Sequence, residues 1–440
     1  MKLIFNKTIF MIKNIKQKWV TLLILLVFSA VSNAQIDTTF VSVKMNYPDF
    51  LSLVSKNNLG YAAEKFNVDM AQANTEASKV FPDPELAVGA SDNGQRRMQM
   101  GYGFSTELSW TLELGGKRKA RINVAKSTTE LTKTLLEDYF RNLRAEATLN
   151  YLTGLKQKQI FKVQLNSYTI LKNIAATDSI RFKLGSITEI DARQSKLEAN
   201  SMLNDVYQSE ADWKTALLEL GTMLGNQKAD TLYLPSGDLT KFERLFNLNE
   251  LIVTAQNNRT DLLAALKNKN VAQEVLKLTK ANRVLDLGLS FGVENASLVS
   301  NIVAPTPSSN AVSAGITIPL KFSNQNKGEL KAAEFSVQQA DVLYKQTDLQ
   351  IQTEVRKAWF AYLTAQKQIK QFDTGLLADA KKLLDGKVYS YKRGETTLLE
   401  VLNAQRTYNE TQLSYHETLY NYATALVELE KTAGIWDINF

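Results

Sequence analysis

The chain is written twice, and that duplication limits what it can fold into more than any other feature. Around Gly185 it reads Phe182-Lys-Leu-Gly-Ser-Ile-Thr-Glu-Ile-Asp191, and around Gly394 it reads Tyr391-Lys-Arg-Gly-Glu-Thr-Thr-Leu-Leu-Glu400. The offset of 394 − 185 = 209 residues also carries Tyr151 onto Phe360, Thr188 onto Thr397 and Gly225 onto Gly434. Upstream, Asn57-Asn58 with Ala71-Gln72 echoes Asn257-Asn258 with Ala272-Gln273. Solenoid units recur every roughly 20 to 50 residues, so a repeat of this length is half a protein. Two similar, pseudo-symmetric halves are expected.

Residues 1–34 read as a cleaved export signal. Lys2, Lys7, Lys13, Lys16 and Lys18 lead into an apolar run from Val20 to Val31, and Ser32-Asn33-Ala34 offers small residues at a cleavage site. The run is well short of the roughly 20 residues a membrane-spanning helix needs. The formal charge of +7 is mostly that leader: without its five lysines, 52 − 5 = 47 basic residues face 45 acidic ones, a net of +2. This is no nucleic-acid signature. The chain has no cysteine, so no lipid anchor is expected, and a core, an assembly or both must hold an exported protein without disulfides.

Each half runs through the same textures. Residues 49–80 are rich in Ala, Glu, Lys and Gln with no interior proline, and predict helix up to Phe81-Pro-Asp-Pro84. From Met98 to Leu114 the even positions, including Met100, Tyr102, Phe104, Leu108, Trp110 and Leu112, are apolar apart from Thr106, and the odd positions are small or polar. That period of two is a strand with one apolar and one polar face. Glu85 to Ser91 is its partner, through a turn at Asp92-Asn93-Gly94. In the second half Leu285 to Val293 and Val312 to Phe322 alternate likewise, across a polar loop from Asn295 to Asn310. Four strands cannot close a barrel and leave edges open, yet several approach the length a tilted strand needs to cross a bilayer. A membrane barrel shared between chains resolves both points; the alternative is a half-buried sheet in a soluble domain.

The remainder predicts long helices. Gly116 to about Phe182 contains no proline and one interior glycine, Gly154, and at about 1.5 Å per residue it could reach roughly 100 Å. Lys327 to about Tyr389 reads as its match. The return helices run from Thr188 to about Leu224 and from Thr397 to about Lys431. In the last, Leu398, Val401, Gln405, Tyr408, Gln412, Tyr415, Leu419, Tyr422, Leu426 and Leu429 recur at spacings of three and four, a coiled-coil seam. The expected order is a leader at 1–34, helices at 35–83, a strand hairpin at 84–114, a helical hairpin at 115–225 and an irregular belt at 226–250. The second half follows with a helix at 251–283, a strand hairpin at 284–322, a helical hairpin at 323–434 and a tail at 435–440.

Catalytic chemistry finds no material. Gly115-Gly116-Lys117 lacks the other residues of a phosphate loop, having Thr111 where a glycine is needed and Arg118 where Ser or Thr is needed. Gly101-x-Gly103 lies inside the strand alternation. His416 is the only histidine, so histidine triads and His/Cys metal cages are excluded. No enzyme activity, metal site or cofactor is expected. The two carboxylates at equivalent positions, Asp191 and Glu400, remain. Thr188-x-x-Asp191 and Thr397-x-x-Glu400 fit capping boxes at helix starts. Both acids also follow a hairpin tip, where they could face an axial pore; the two roles are compatible.

A leader, two halves each with a strand hairpin and two long helices, and Tyr391-x-x-Gly394 before a helix start together resemble the TolC-like outer-membrane efflux channels. The likeness covers roughly residues 40–434. It implies a mixed α/β membrane protein: a homotrimer whose three chains close a 12-stranded outer-membrane β-barrel, continued by an α-helical coiled-coil tunnel across the periplasm. It implies a passive exit duct of a tripartite pump, embedded in outer-membrane lipid, with a periplasmic adaptor protein and an inner-membrane transporter of the resistance–nodulation–division type as partners. The tips would meet the adaptor through Leu184, Gly185, Ser186, Arg393, Gly394 and Glu395. Asp191, Tyr391, Glu400 and Asn403 would hold or line the gate, with Tyr391 bonded across to Asp191 and Glu400 ringing the narrow end. A family arginine that locks the gate falls on Thr396 and a second acid on Asn403, so Arg393 could supply the lock instead. Glu113-Leu-Gly-Gly-Lys-Arg118, with Ala120-Arg121, resembles the branch paired with heavy-metal pumps. The same channel serving peptide secretion, or a periplasmic coiled-coil adaptor, are the competing readings.

Overall fold

The computed structural model describes residues 40–92, 100–226, 230–237, 239, 244–320 and 326–438. The leader, the turn at Asn93-Gly94, Met98 and the strand end at Lys321-Phe322 lie outside the described residues. Residues 40–43 with 230–232 belong to a small unit, in which the Val41 amide donates to the Asp230 carbonyl at 2.8 Å. The rest is one large unit that holds the four-stranded sheet and every helix among the described residues.

The first half contains β1 (Val41–Met45), α1 (Tyr47–Asn57), α2 (Leu59–Ala77), β2 (Glu85–Asp92), β3 (Tyr102–Leu112), α3 (Lys117–Lys183) and α4 (Glu189–Met223). After β4 (Thr231–Pro235) the order repeats as α5 (Leu248–Asn258), α6 (Thr260–Ala281), β5 (Leu287–Ala296), β6 (Ser309–Thr317), α7 (Lys327–Phe372), α8 (Leu376–Lys392) and α9 (Leu398–Ala433). The expected helix at 49–80 is divided at Asn58, whose side chain accepts from the Tyr61 amide at 2.9 Å and donates to the Met223 carbonyl at 3.1 Å. The second half breaks at the matching place, Arg259. That guanidinium is buried and holds Asp261, Glu354 and the Thr432 carbonyl. β1 and β4, which pair in a two-stranded sheet, carry no signal that the sequence reading used.

The two long helices differ. α3 runs unbroken for 67 residues. Its expected match from Lys327 to Tyr389 is interrupted, because α7 ends at Phe372 and α8 restarts after Gly375 at φ 96°. That left-handed conformation is one an L side chain resists. Tyr151 also acquires a different counterpart. It is buried, with its hydroxyl 2.6 Å from the Ser236 carbonyl. Phe360 is exposed, and Tyr362 takes the corresponding buried place in the second half, its hydroxyl 3.0 Å from the Arg244 carbonyl.

The four-stranded sheet has the order β2-β3-β5-β6, antiparallel throughout. Its register aligns apolar residues in rows, such as Leu86–Leu108–Phe291 and Trp110–Leu289–Ile316. Leu86, Leu108 and Phe291 are 65, 49 and 53 % exposed, so the chain leaves this apolar face uncovered. The opposite face is built from small residues: a Cβ on Gly292 would lie 2.7 Å from Ser313 Oγ. Among the described residues no helix is long and apolar enough to cross a membrane.

Below the sheet, α9 forms the spine of the core. Eight of the ten seam residues, Leu398 to Leu429, are buried, and only Gln412 and Tyr415 are half-exposed. Fully buried leucines such as Leu426 and Leu429 contribute about 1.5–3 kcal/mol each from apolar burial.

Candidate functional site

The candidate site is built at the tips of the two helical hairpins, which share one backbone design. α3 ends in a Schellman turn: the Ser186 amide donates to the Arg181 carbonyl at 2.8 Å and the Gly185 amide to Phe182 at 2.9 Å. α8 ends the same way, with the Glu395 amide on Ser390 at 2.9 Å and the Gly394 amide on Tyr391 at 3.0 Å. Gly185 and Gly394 take φ 71° and 80°, which explains glycine at both positions. Thr188 and Thr397 then cap α4 and α9, their hydroxyls accepting from the Asp191 amide at 3.1 Å and the Glu400 amide at 3.4 Å.

The caps are present, but the carboxylates are held by other groups than the cap amides. Asp191 accepts from the Thr188 hydroxyl at 2.7 Å. Glu400 accepts from the Lys387 ammonium and from the Thr396 hydroxyl at 2.7 Å. These bonds, Lys387 first, hold the Glu400 carboxyl below the usual carboxylate range.

The expected bond from Tyr391 to Asp191 is replaced by another. The Tyr391 hydroxyl donates to Asp178 Oδ1 at 2.8 Å. Asp178 lies on α3 about two turns before the tip and faces α8, whereas Asp191 is turned toward its own cap. Arg181 closes the group: Nη1 lies 3.9 Å from Asp178 Oδ1 and donates to the Tyr391 carbonyl at 3.4 Å, and the guanidinium sits 4.8 Å from the Tyr391 ring centroid. Asp178 is fully buried and its Oδ2 lacks a well-formed hydrogen bond. Burial pushes its carboxyl above the usual range, against the opposing pull of the Tyr391 bond. Burial, and then the Asp178 carboxylate, push the Tyr391 phenol up. A cavity of about 210 Å³ opens beside them, lined by Ile174, Thr177, Arg181 and Val388.

Sequence reasoning missed Asp178 and Arg181. A signal existed in the comparison of halves. At the offset of 209, Asp178 falls on Lys387 and Phe182 on Tyr391, so acid and base, and phenyl and phenol, trade places where the rest of the tip is repeated. The other expected residues stay at the surface. Leu184, Gly185, Ser186, Gly394 and Glu395 are exposed, and Arg393 is occupied by Glu395 at 2.9 Å and the Tyr389 hydroxyl at 3.1 Å. Asn403 is exposed on α9 with Glu400, Thr407, Glu410 and Ser414, spaced three and four apart, and these form a polar stripe away from the buried seam.

Comparison with known proteins agrees with this architecture. Residues 50–226 and 251–435 each match the outer membrane efflux protein family, one stretch in each half. The cobalt-zinc-cadmium resistance protein CzcC of Cupriavidus metallidurans is 21% identical over 384 residues, 87% of this chain and 88% of that protein. The outer membrane protein TolC of Vibrio cholerae is 20% identical, over 92% of each. The solved structure of the Campylobacter jejuni CmeC outer membrane channel has a TM-score of 0.73 at 16% identity, covering 88% of this chain and 85% of that one; at that identity the likeness is one of fold. With the family's sequence present in both halves and its fold in the large unit, this chain belongs to the outer membrane efflux protein family and is an outer-membrane channel protein.

Proposed function

We propose that three copies of this chain assemble into one export duct, each supplying four strands to a 12-stranded barrel in the outer membrane and its helices to a periplasmic tunnel. The observation that carries this reading is the sheet β2-β3-β5-β6. One of its faces is apolar and exposed, the other is small and polar, and both edges are unpaired among the described residues. Such a sheet is unstable alone in water and complete only in a closed ring facing lipid.

The hairpin tips form the gate. Tyr391, Asp178 and Arg181 tie α8 to α3 within a chain. Glu400 and Asn403, on the exposed stripe of α9, line the narrow end in three copies, so six polar side chains converge on the axis. Thr396 stands where the family's locking arginine is expected, and Arg393 is the tip guanidinium able to reach a neighbouring copy. Leu184, Gly185 and Ser186 on one tip, and Gly394 and Glu395 on the other, meet a periplasmic adaptor. An inner-membrane transporter of the resistance–nodulation–division type delivers the cargo. The cargo class is divalent heavy-metal ions, on the strength of Glu113-Leu-Gly-Gly-Lys-Arg118 and the similarity to the cobalt-zinc-cadmium resistance protein.

The test is the mass of the purified protein in detergent together with its conductance in planar bilayers. A trimer that forms discrete channels supports the duct, and a well-folded monomer without conductance overturns it. Loss of cobalt, zinc or cadmium tolerance on deletion supports the cargo, and loss of peptide export in its place overturns it.

A further inference from the structure

Within one chain, the seam between the two halves of the sheet is locked by a charge pair at its helical end. Lys117 opens α3 directly after Gly116, which is left-handed at φ 72°. Its ammonium donates to Asp286 Oδ1 at 2.6 Å and Oδ2 at 2.7 Å. Asp286 sits one residue before β5, which pairs with β3, and the Lys117 side chain is only 7% exposed. A nearly buried lysine held by both oxygens of one carboxylate fixes where β3 and β5 meet, because a slip of the strands would strand both charges.

The outer edges carry the same parts without their partners. Asn326 is the one non-glycine residue with positive φ among the described residues, at 55°. It precedes Lys327, the first residue of α7 after β6, as Gly116 precedes Lys117 after β3. Asparagine is among the few residues with a side chain that adopt this conformation, so α3 and α7 both start from a left-handed residue. On the other edge, the entry to β2 copies the entry to β5. The Val80 amide donates to the Ala77 carbonyl at 3.3 Å and the Val284 amide to Ala281 at 3.0 Å. Val284-Leu285-Asp286 becomes Val80-Phe81-Pro82-Asp83, one residue longer. Asp83 stands two residues before Glu85, which opens β2 on the small, polar face of the sheet, and Asp286 stands one residue before Leu287, which opens β5. Lys327 and Asp83 are exposed, and neither has an ion-pair partner among the described residues.

We propose that Lys327 pairs with Asp83 of a neighbouring copy of this chain, reproducing between chains the Lys117–Asp286 lock that each chain makes within itself. The inference rests on the closed-ring reading above and adds to it the register of β6 against the neighbour's β2. The occupant of the free edges is a second copy. β2 enters the sheet from a helix and β6 leaves it into one, so the two edges are antiparallel and carry opposite charges at the same end.

The test is charge reversal, read as trimer dissociation in detergent. Lys327→Glu speeds dissociation by about tenfold or more, as expected when one partner of a nearly buried pair is reversed. Adding Asp83→Lys restores the wild-type rate, and adding Glu85→Lys does not. The chain lacks cysteine, so Lys327→Cys with Asp83→Cys, treated with a short bis-maleimide, gives covalent dimers and trimers, while either cysteine alone does not. This second measurement holds even if the reversed variants assemble poorly. If wild-type protein is a trimer but neither rescue nor cross-linking occurs, the pair is refuted and the ring stands. A monomeric wild type overturns both.

Discussion

Removing the Tyr391 hydroxyl probes what holds the tips together. In Tyr391→Phe the ring keeps its packing in the cluster with Leu171, Ile174 and Leu398, but Asp178 Oδ1 loses its donor at 2.8 Å. Oδ2 already lacks a well-formed hydrogen bond, so a fully buried carboxyl is left with the Ser195 hydroxyl beside it and Arg181 at 3.9 Å. A hydrogen bond to a charged group contributes about 1.5–3 kcal/mol, and orphaning a buried acceptor costs a similar amount. At tenfold per roughly 1.4 kcal/mol, the closed arrangement of α8 on α3 should weaken about ten- to a hundredfold. Basal open probability in planar bilayers should rise by that order, and thermal unfolding should begin at the tips. Asp178→Asn separates charge from hydrogen bonding, since the amide still accepts from Tyr391. Burial raises the Asp178 carboxyl above its ordinary value of 3.8. The contribution of its neutral form is therefore complete below that value and is lost as pH rises through the raised one. Asp178→Asn should flatten this pH dependence and perturb the gate less than Tyr391→Phe at neutral pH. Unchanged basal conductance and unchanged melting in Tyr391→Phe would refute the tip lock.

Three further outcomes are expected. Phe104→Arg places a charge on the apolar face and should impair membrane assembly by about 2–4 kcal/mol near the midplane, whereas Ser105→Arg, on the small face, should assemble and alter conductance; equal damage from both would remove the face assignment. Glu400→Gln should reduce cation selectivity and weaken block by trivalent cations while leaving melting nearly unchanged, because the Thr397 cap does not use the carboxylate; loss of stability with unchanged selectivity would leave Glu400 a structural residue. Glu430 is buried with its carboxyl pushed up to about 7, chiefly by burial, since the Arg244 guanidinium it touches is shared with Asp437, held at about 2. The stability given by its neutral form is complete below 4.5 and lost as pH rises through about 7, so melting should fall between about pH 5 and pH 8, and Glu430→Gln should flatten that slope.

The features set by local periodicity were legible in the sequence. Strand alternation placed β3 and β5, the spacing of three and four placed the buried seam of α9, and two glycines with two threonines placed both tips. Each of these signals lies within a few residues and reflects a backbone period or a φ angle. What stayed hidden depends on distant partners. Asp178 is one of several acids on a long helix, and its role comes from Tyr391, 213 residues away. The break at Gly375 was masked because one glycine within a helical pattern is ordinarily tolerated. The pairing of β1 with β4 joins two short segments far apart in the chain, with too few residues in either for a period to register.

The unequal continuity of the two long helices has a mechanical consequence. α3 is a rod of 67 residues with its hydrogen-bond ladder intact, so bending it anywhere strains backbone bonds along its length. The second hairpin is jointed: Asp373, Thr374 and Gly375 separate α7 from the 17-residue α8 that carries Tyr391. Rotation at a left-handed glycine can absorb a change of direction with no helical turn broken. Flexure is therefore concentrated in one short segment per chain, and α8 can swing off its stiff neighbour while α7, and the sheet it descends from, stay in place.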